Sequence, residues 1–171
     1  MCYLDFCMKH CIPVFCEKPL IWSIGSYDEI SLSLGLLKNY SQSLIYLNTN
    51  NKFIAQSILK QGWMCDDLEN LRVVFHTQGE EQYENISLDL LPHAISIAEI
   101  ILGSKLEINE PTSSVAKNEV RHTFIHKNIT VNFTLSESTD NRKRLAVYLN
   151  ENIVERIQGG SGKTYKIFLR K

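Results

Sequence analysis

The sequence predicts an α/β (α+β) protein in two parts, and three observations predict it. Residues 1–48 alternate helical and strand-like apolar runs, the pattern of a parallel sheet with helical crossovers. Residues from about 120 onward alternate apolar and polar positions with a period of two, as an open-faced, mainly antiparallel sheet does. Between them, the turn-rich stretch TNNK follows Asn48, so the parts are drawn at 1–48 and 49–171.

The elements follow in order. Leu4, Met8 and Cys11 fall at helical spacing between Tyr3 and Cys11, and Ile12–Cys16 is a short apolar run that reads as a buried strand. Ser26-Tyr27-Asp28-Glu29 forms a capping box, in which the serine hydroxyl accepts the amide three residues on and the glutamate reaches back. The helix it opens carries Ile30, Leu34, Leu36 and Leu37 and ends near Asn39, before a second strand at Leu44–Leu47. Beyond the junction, Phe53, Ile54, Ile58 and Leu59 mark a helix closing at Gly62. Leu71–Thr77 reads as a strand, GEEQYEN as a loop, and Leu90–Leu102 as a helix capped by Gly103. Ile129, Val131, Phe133 and Leu135 then alternate with Thr130, Asn132, Thr134 and Ser136. Similar runs at Val120–His126, Leu145–Leu149, Ile153–Ile157 and Tyr165–Leu169 complete an expected antiparallel meander, one face of which is wet or covered by a partner.

Composition narrows the function classes. A chain of 171 residues with 44% hydrophobic content builds one domain, or one and a fragment. Its 18 basic and 19 acidic residues, net −1, give no global field for nucleic acid or an anionic membrane, and Arg142-Lys143-Arg144 reads as a solvated turn. No basic leader precedes a long apolar run at the N-terminus, and no stretch approaches the ~20 apolar residues of a membrane span, so a cytoplasmic protein is expected. Five cysteines without a CxxC pair fit reduced thiols. Cys7, His10 and Cys11 share one helical face but have no fourth ligand at a fitting spacing, so no metal is expected. The sequons at Asn39, Asn85, Asn128 and Asn132 are by-products of an asparagine-rich composition.

Three motifs carry charge or glycine where chemistry could use it. Glu17-Lys18-Pro19 follows an apolar strand without a spacer; it is either a solvated turn or a turn facing a ligand, since open α/β sheets collect ligands outside their strand ends. Asp89 and His93 are four apart, so on a helix they share a face. A carboxylate one turn from an imidazole can orient it and raise its basicity, whereas taken singly Asp89 is an N-cap candidate and His93 an ordinary half-buried histidine. Pro92 suits this helix if it lies in the first turn. Gly159–Thr164, GGSGKT, invites a phosphate-loop reading, but Ile157 stands where that motif needs a glycine, and the segment joins two strands; a flexible hairpin loop is the better account.

FCEKPL resembles the EKP motif of the Gfo/Idh/MocA oxidoreductases, the glucose-fructose oxidoreductase and inositol dehydrogenase group, and DLLPHAISIAEIILG is similar to that family's later helix, with an aspartate four residues before a histidine. YLNTNNKF resembles the family's junction between its dinucleotide and substrate domains, with Lys52 where arginine is usual. The resemblance runs from about Tyr3 through Gly103 and more loosely over the sheet. It implies that residues 1–48 are the last part of a Rossmann dinucleotide-binding domain and that 49–171 form the substrate-binding and oligomerisation domain. It further implies an NAD or NADP cofactor beside Glu17, Lys18 and Pro19, and a sugar, cyclitol or related polyol as substrate. Lys18 and His93 would be catalytic, with His93 moving the hydroxyl proton and Asp89 close by. No G-x-G-x-x-G follows a strand in this sequence, so the resemblance is to an N-terminally truncated member that binds dinucleotide weakly alone. The alternatives are a non-catalytic remnant serving as a binding or oligomerisation module, and a small α/β protein with accidental matches. In the first two cases the open sheet face is expected to pair with a second copy.

Overall fold

The structure is a computed structural model, and it describes residues 6–7, 9–16, 45–47, 51–140, 142–159 and 166–171. They fall in two compact units, Met1–Thr49 and Asn50–Lys171. In the first, strands β1 (Val14–Cys16) and β2 (Ile45–Leu47) pair in parallel, with Phe15 level with Tyr46. Strand β1 starts two residues later than the apolar run, because Pro13 has no N–H to give a ladder. Ahead of it a helical turn closes through His10 N–H to the Phe6 carbonyl at 3.1 Å. The capping box at Ser26 with its helix, and the Glu17-Lys18-Pro19 turn, lie outside the described residues.

The second unit is a seven-stranded sheet with helices α1 (Lys52–Lys60) and α2 (Asn85–Leu102). Its strands are β3 (Asn70–Thr77), β4 (Asn109–Ala116), β5 (Glu119–His126), β6 (Ile129–Glu137), β7 (Arg144–Leu149), β8 (Asn152–Gly159) and β9 (Lys166–Arg170). They lie in the order β4-β5-β6-β3-β7-β8-β9. Every pairing is antiparallel except β3 with β6. The expected simple meander is thus split down its middle by β3. The reason is in that strand: Leu71, Val73 and Phe75 are all buried on one face, and Val74 is buried on the other between Arg72 and His76, so β3 is covered best with a strand on each side.

Both helices stop where glycine permits. Gly62 (φ 65°) and Gly103 (φ 66°) adopt the left-handed conformation, and at Gly62 the stop is doubly bonded, Gly62 N–H to Leu59 O at 3.0 Å and Trp63 N–H to Ile58 O at 3.1 Å. Helix α2 begins five residues before the expected Leu90; the added residues alternate polar Ser87 and Asp89 with apolar Ile86 and Leu88, which hides the helical period. Pro92 therefore sits about two turns inside the helix, and its missing N–H leaves the Leu88 carbonyl without that helical bond. By length and a mean hydropathy of 1.4, α2 could cross a membrane. Its apolar content is accounted for by the core, where Ile86, Leu90, Ala94, Ile97, Ala98 and Ile101 form one buried stripe.

That stripe and Ile54 and Ile58 of α1 pack on the inward residues of the sheet, among them Phe75, Val131, Phe133, Leu135 and Leu145. The opposite face carries no helix among the described residues. It presents Arg72 stacked 3.8 Å over the Tyr148 ring, a Thr123–Asn132 hydrogen bond of 2.8 Å and Glu155 between Arg144 and Arg170, with Ile153 and Phe168 exposed. Strand β4 has no counterpart in the sequence reading. All eight of its residues are exposed, so burial imposes no alternation on it.

Two-residue turns join β5 to β6 and β7 to β8, each with a non-glycine residue at positive φ, Lys127 and Asn150. Asn150 also ties down the approach to β3. Its Oδ1 accepts the N–H groups of Glu69 (3.0 Å) and Asn70 (2.9 Å), and its Nδ2 donates to Asp67 O at 2.7 Å. The GGSGKT segment lies mostly outside the described residues, but β8 and β9, which flank it, pair antiparallel as strands of a hairpin do.

Candidate active site at the ends of two parallel strands

Parallel pairing sets the carboxyl ends of β3 and β6 side by side, with Thr77 level with Glu137. Phe75 and Leu135 face α2, and by the period of two so do Thr77 and Glu137. Glu137 is thus the last residue of the inward series Ile129, Val131, Phe133, Leu135, a charge at an apolar register position, and it is only 3% exposed. Its surroundings hold it from three sides. The Glu137 N–H donates to Asn118 O at 3.1 Å, and its Oε2 accepts the Glu81 N–H at 3.3 Å. Gly79 lies so close that a methyl group there would overlap the Glu137 carboxyl, so a larger residue would force that carboxyl to move. Tyr83, at φ 53°, donates its N–H to Lys117 O at 3.0 Å, so the β4–β5 turn fastens both the 78–84 loop and the end of β6.

Asp89 lies in the second turn of α2, half-buried, and hydrogen-bonds to Glu137. Two carboxyl groups at that separation cannot both be charged without large repulsion. Burial first, then the hydrogen bond and charge of Asp89, push Glu137 up to about 7; the Glu81 N–H opposes this and the Glu81 charge adds to it. The pair therefore holds a proton through the mildly acidic range. His93 follows one turn after Asp89, half-buried, with its ring edge-on to Phe75 at a centroid distance of 5.9 Å. Asp89 and His93 thus share the flank of α2 that faces the strand ends, Asp89 toward β6 and His93 toward β3.

On the neighbouring flank His122 of β5 is held at both ring nitrogens, by Ser87 Oγ on Nε2 and Ser113 Oγ on Nδ1, each at 2.8 Å. Burial keeps His122 below its ordinary range, so it is a neutral ring that accepts from one serine and donates to the other.

Of the residues singled out from the sequence, Asp89 and His93 come together on one helix. The N-cap alternative for Asp89 is overturned, because the cap position is Glu84 and Asp89 is inside the helix. Glu17, Lys18 and Pro19 lie outside the described residues. Sequence reasoning missed Glu137, Gly79 and Glu81. Glu137 carried a signal, since it continues an inward apolar series with a charge; Gly79 and Glu81 carried none, because only the folded loop brings them to the carboxyl.

No protein-family model and no curated protein matches the chain. Solved structures do. An oxidoreductase from Agrobacterium radiobacter, crystallised with NAD+, L-tartaric acid and magnesium, shares 14% identity and a TM-score of 0.60 over 98% of this chain and 56% of its own. A candidate myo-inositol dehydrogenase from Sinorhizobium meliloti gives 13% and 0.61, over 96% and 58%. A dehydrogenase from Clostridium difficile gives 16% and 0.55, over 92% and 55%. The fold is thus that of these oxidoreductases, and the likeness to the Gfo/Idh/MocA group noted from the motifs is shown at the level of the fold. The chain spans little more than half the length of these structures.

The carboxyl pair makes stability depend on pH with a definite sign. Glu137 holds its proton more tightly folded than unfolded, so the stabilisation is complete below pH ~4.5 and is lost as pH rises through about 7. Glu137→Gln keeps the shape without the charge. It removes a loss on the order of 2 kcal/mol between pH 5 and 8, so the gap in melting temperature between variant and wild type widens in favour of the variant over that interval. A gap that does not change with pH would contradict the assignment.

Proposed function

We propose that this chain carries the substrate-handling part of an NAD(P)-dependent oxidoreductase, which passes hydride between a nicotinamide and a sugar, cyclitol or related polyol. One observation carries the reading: His93 stands at the ends of β3 and β6, one turn after an aspartate bonded to a buried, proton-holding glutamate. An imidazole in that place takes the proton of a substrate hydroxyl as it is oxidised, or returns it to the carbonyl in reduction. Asp89 and Glu137 keep negative charge beside it adjustable by one proton. Lys18 would be the second catalytic residue, as the resemblance to the family implies. The tartaric acid and NAD+ held by one structural neighbour and the myo-inositol proposed for another support this substrate class.

The sequence offers no glycine-rich turn to cradle the whole dinucleotide. Tight binding in such folds uses the backbone amides of a glycine-rich turn at a helix N-terminus, and the sequence has no G-x-G-x-x-G. A lysine at the nicotinamide end contributes on the order of 1 kcal/mol, which does not offset the several kcal/mol lost on immobilising a ligand. A second reading is a non-catalytic module that binds a partner copy through the open sheet face, where Ile153 and Phe168 are exposed. A reducing, cytoplasmic setting fits either reading, given the free thiols of Cys7, Cys11 and Cys65.

Three measurements separate the readings. In calorimetry this chain shows no micromolar affinity for NAD or NADP, while millimolar myo-inositol or tartrate moves the His93 ring resonances in NMR. An unmoved His93 would overturn the substrate site, and micromolar cofactor affinity would overturn the argument from the missing turn. Sedimentation at micromolar concentration shows a dimer if the open face pairs with a second copy, and a monomer would contradict that pairing.

A further inference from the structure

At the same end of the sheet, on the face away from α2, lies a cleft of about 670 Å3. It is lined by His76 at the end of β3, by Arg142, Lys143 and Arg144 entering β7, by Glu155 and Arg156 of β8 and by Arg170 of β9. Arg142, Lys143, Arg144 and Arg170 therefore meet one carboxylate there, while Arg156, level with inward Leu145, turns its side chain to the helix face. That carboxylate is already engaged: Glu155 Oε1 accepts Arg144 Nε and its Oε2 accepts Arg170 Nη2, both at 2.8 Å. Arg144 also donates to the Tyr148 hydroxyl at 3.2 Å, and Arg156 to Asn51 Oδ1 at 2.9 Å. Arg142 and Lys143 are exposed and have no ion-pair partner among the described residues.

Like charges gathered in one concavity repel, and the arrangement is relieved by an anion that enters it. A second feature points the same way. His76 lines the cleft, and its Nε2 is buried with no hydrogen-bond partner. Burial and then Arg144 hold this ring below its ordinary range, so it is neutral and has an N–H to give. Donors on β3, β7, β9 and the 142–143 loop converge from different directions. A single carboxylate offers two oxygens to them, whereas a phosphate offers three or four. The volume admits a phosphate together with a small carrier.

We propose that this cleft is a binding site for a phosphate group, free or carried on a small molecule, held by Arg142, Lys143, Arg144, Arg170 and His76. It stands on the other face of β3 from His93 and does not depend on the assignment of the redox reaction.

Calorimetric titration of the chain with pyrophosphate, with glucose 6-phosphate and with glucose, at low and constant ionic strength, tests it. Both phosphates bind below millimolar Kd, glucose does not, and the His76 ring resonances shift with the phosphates alone. Tighter binding of glucose 6-phosphate than of pyrophosphate assigns the site to a carried phosphate, and the reverse to a free one. The double variant Arg142→Glu, Lys143→Glu, shown by circular dichroism to melt as the wild type does, weakens binding at least tenfold. Three results would overturn the proposal: no binding beyond that of chloride at equal ionic strength, an affinity unchanged within threefold in the folded double variant, or tighter binding of a single-stranded oligonucleotide than of either phosphate.

Discussion

One layer of helix, α2 with Ile54 and Ile58 of α1 beside it, covers the apolar face of the seven-stranded sheet, and the arrangement of the second unit follows from what that requires. The buried stripe of α2, from Ile86 to Ile101, has to meet a matching apolar surface, and the inward residues of β3, β5 and β6 supply it. With Leu71, Val73 and Phe75 all buried on its inward face, β3 finds full cover in the middle of such a sheet. That places β3 between β6 and β7 and makes its pairing with β6 the one parallel contact. Having a single helical layer also decides the character of the other face, which is built from threonine, asparagine and ion-paired arginine with a few exposed apolar residues.

The parallel contact has a chemical consequence. It ends two strands at the same level beside the first turns of α2, and at that level the inward register of β6 holds a glutamate where apolar residues precede it. A buried carboxylate is expensive unless it is neutralised or bonded. Here it gains one backbone N–H, a place against Gly79, and a second carboxyl on α2 with which it shares a proton. The helix that closes the core thereby also carries Asp89 and His93 to the strand ends. Burial is used here to shift a protonation equilibrium, at the place where the proposed chemistry moves a proton.

Much of this could be read before folding was considered. The caps at Gly62 and Gly103 and the alternation of β6 are local signals, and the four-residue gap between Asp89 and His93 is enough to put them on one helix face. What the sequence left hidden depends on distance or on missing contrast. Strand β4 is exposed along its whole length and so has no pattern. The first turn of α2 mixes serine and aspartate with isoleucine and leucine, which reads as loop. The insertion of β3 beside β6 is a pairing between segments more than fifty residues apart, and no local periodicity encodes it. Gly79 acquires its meaning only from the carboxyl against it. The basic triplet is the solvated turn that its charge suggests, with Arg142 and Lys143 exposed ahead of β7, but the cleft that joins it to His76 and Arg170 is assembled from distant strands.

The account rests on the protonated carboxyl pair behind His93. The most direct test is carbon-detected NMR of the Glu137 side-chain carboxyl across a pH titration of the folded chain. The account predicts a midpoint near 7, with the Asp89 carboxyl responding in the same interval. A Glu137 midpoint near the ordinary ~4.5, with Asp89 titrating independently, would contradict it.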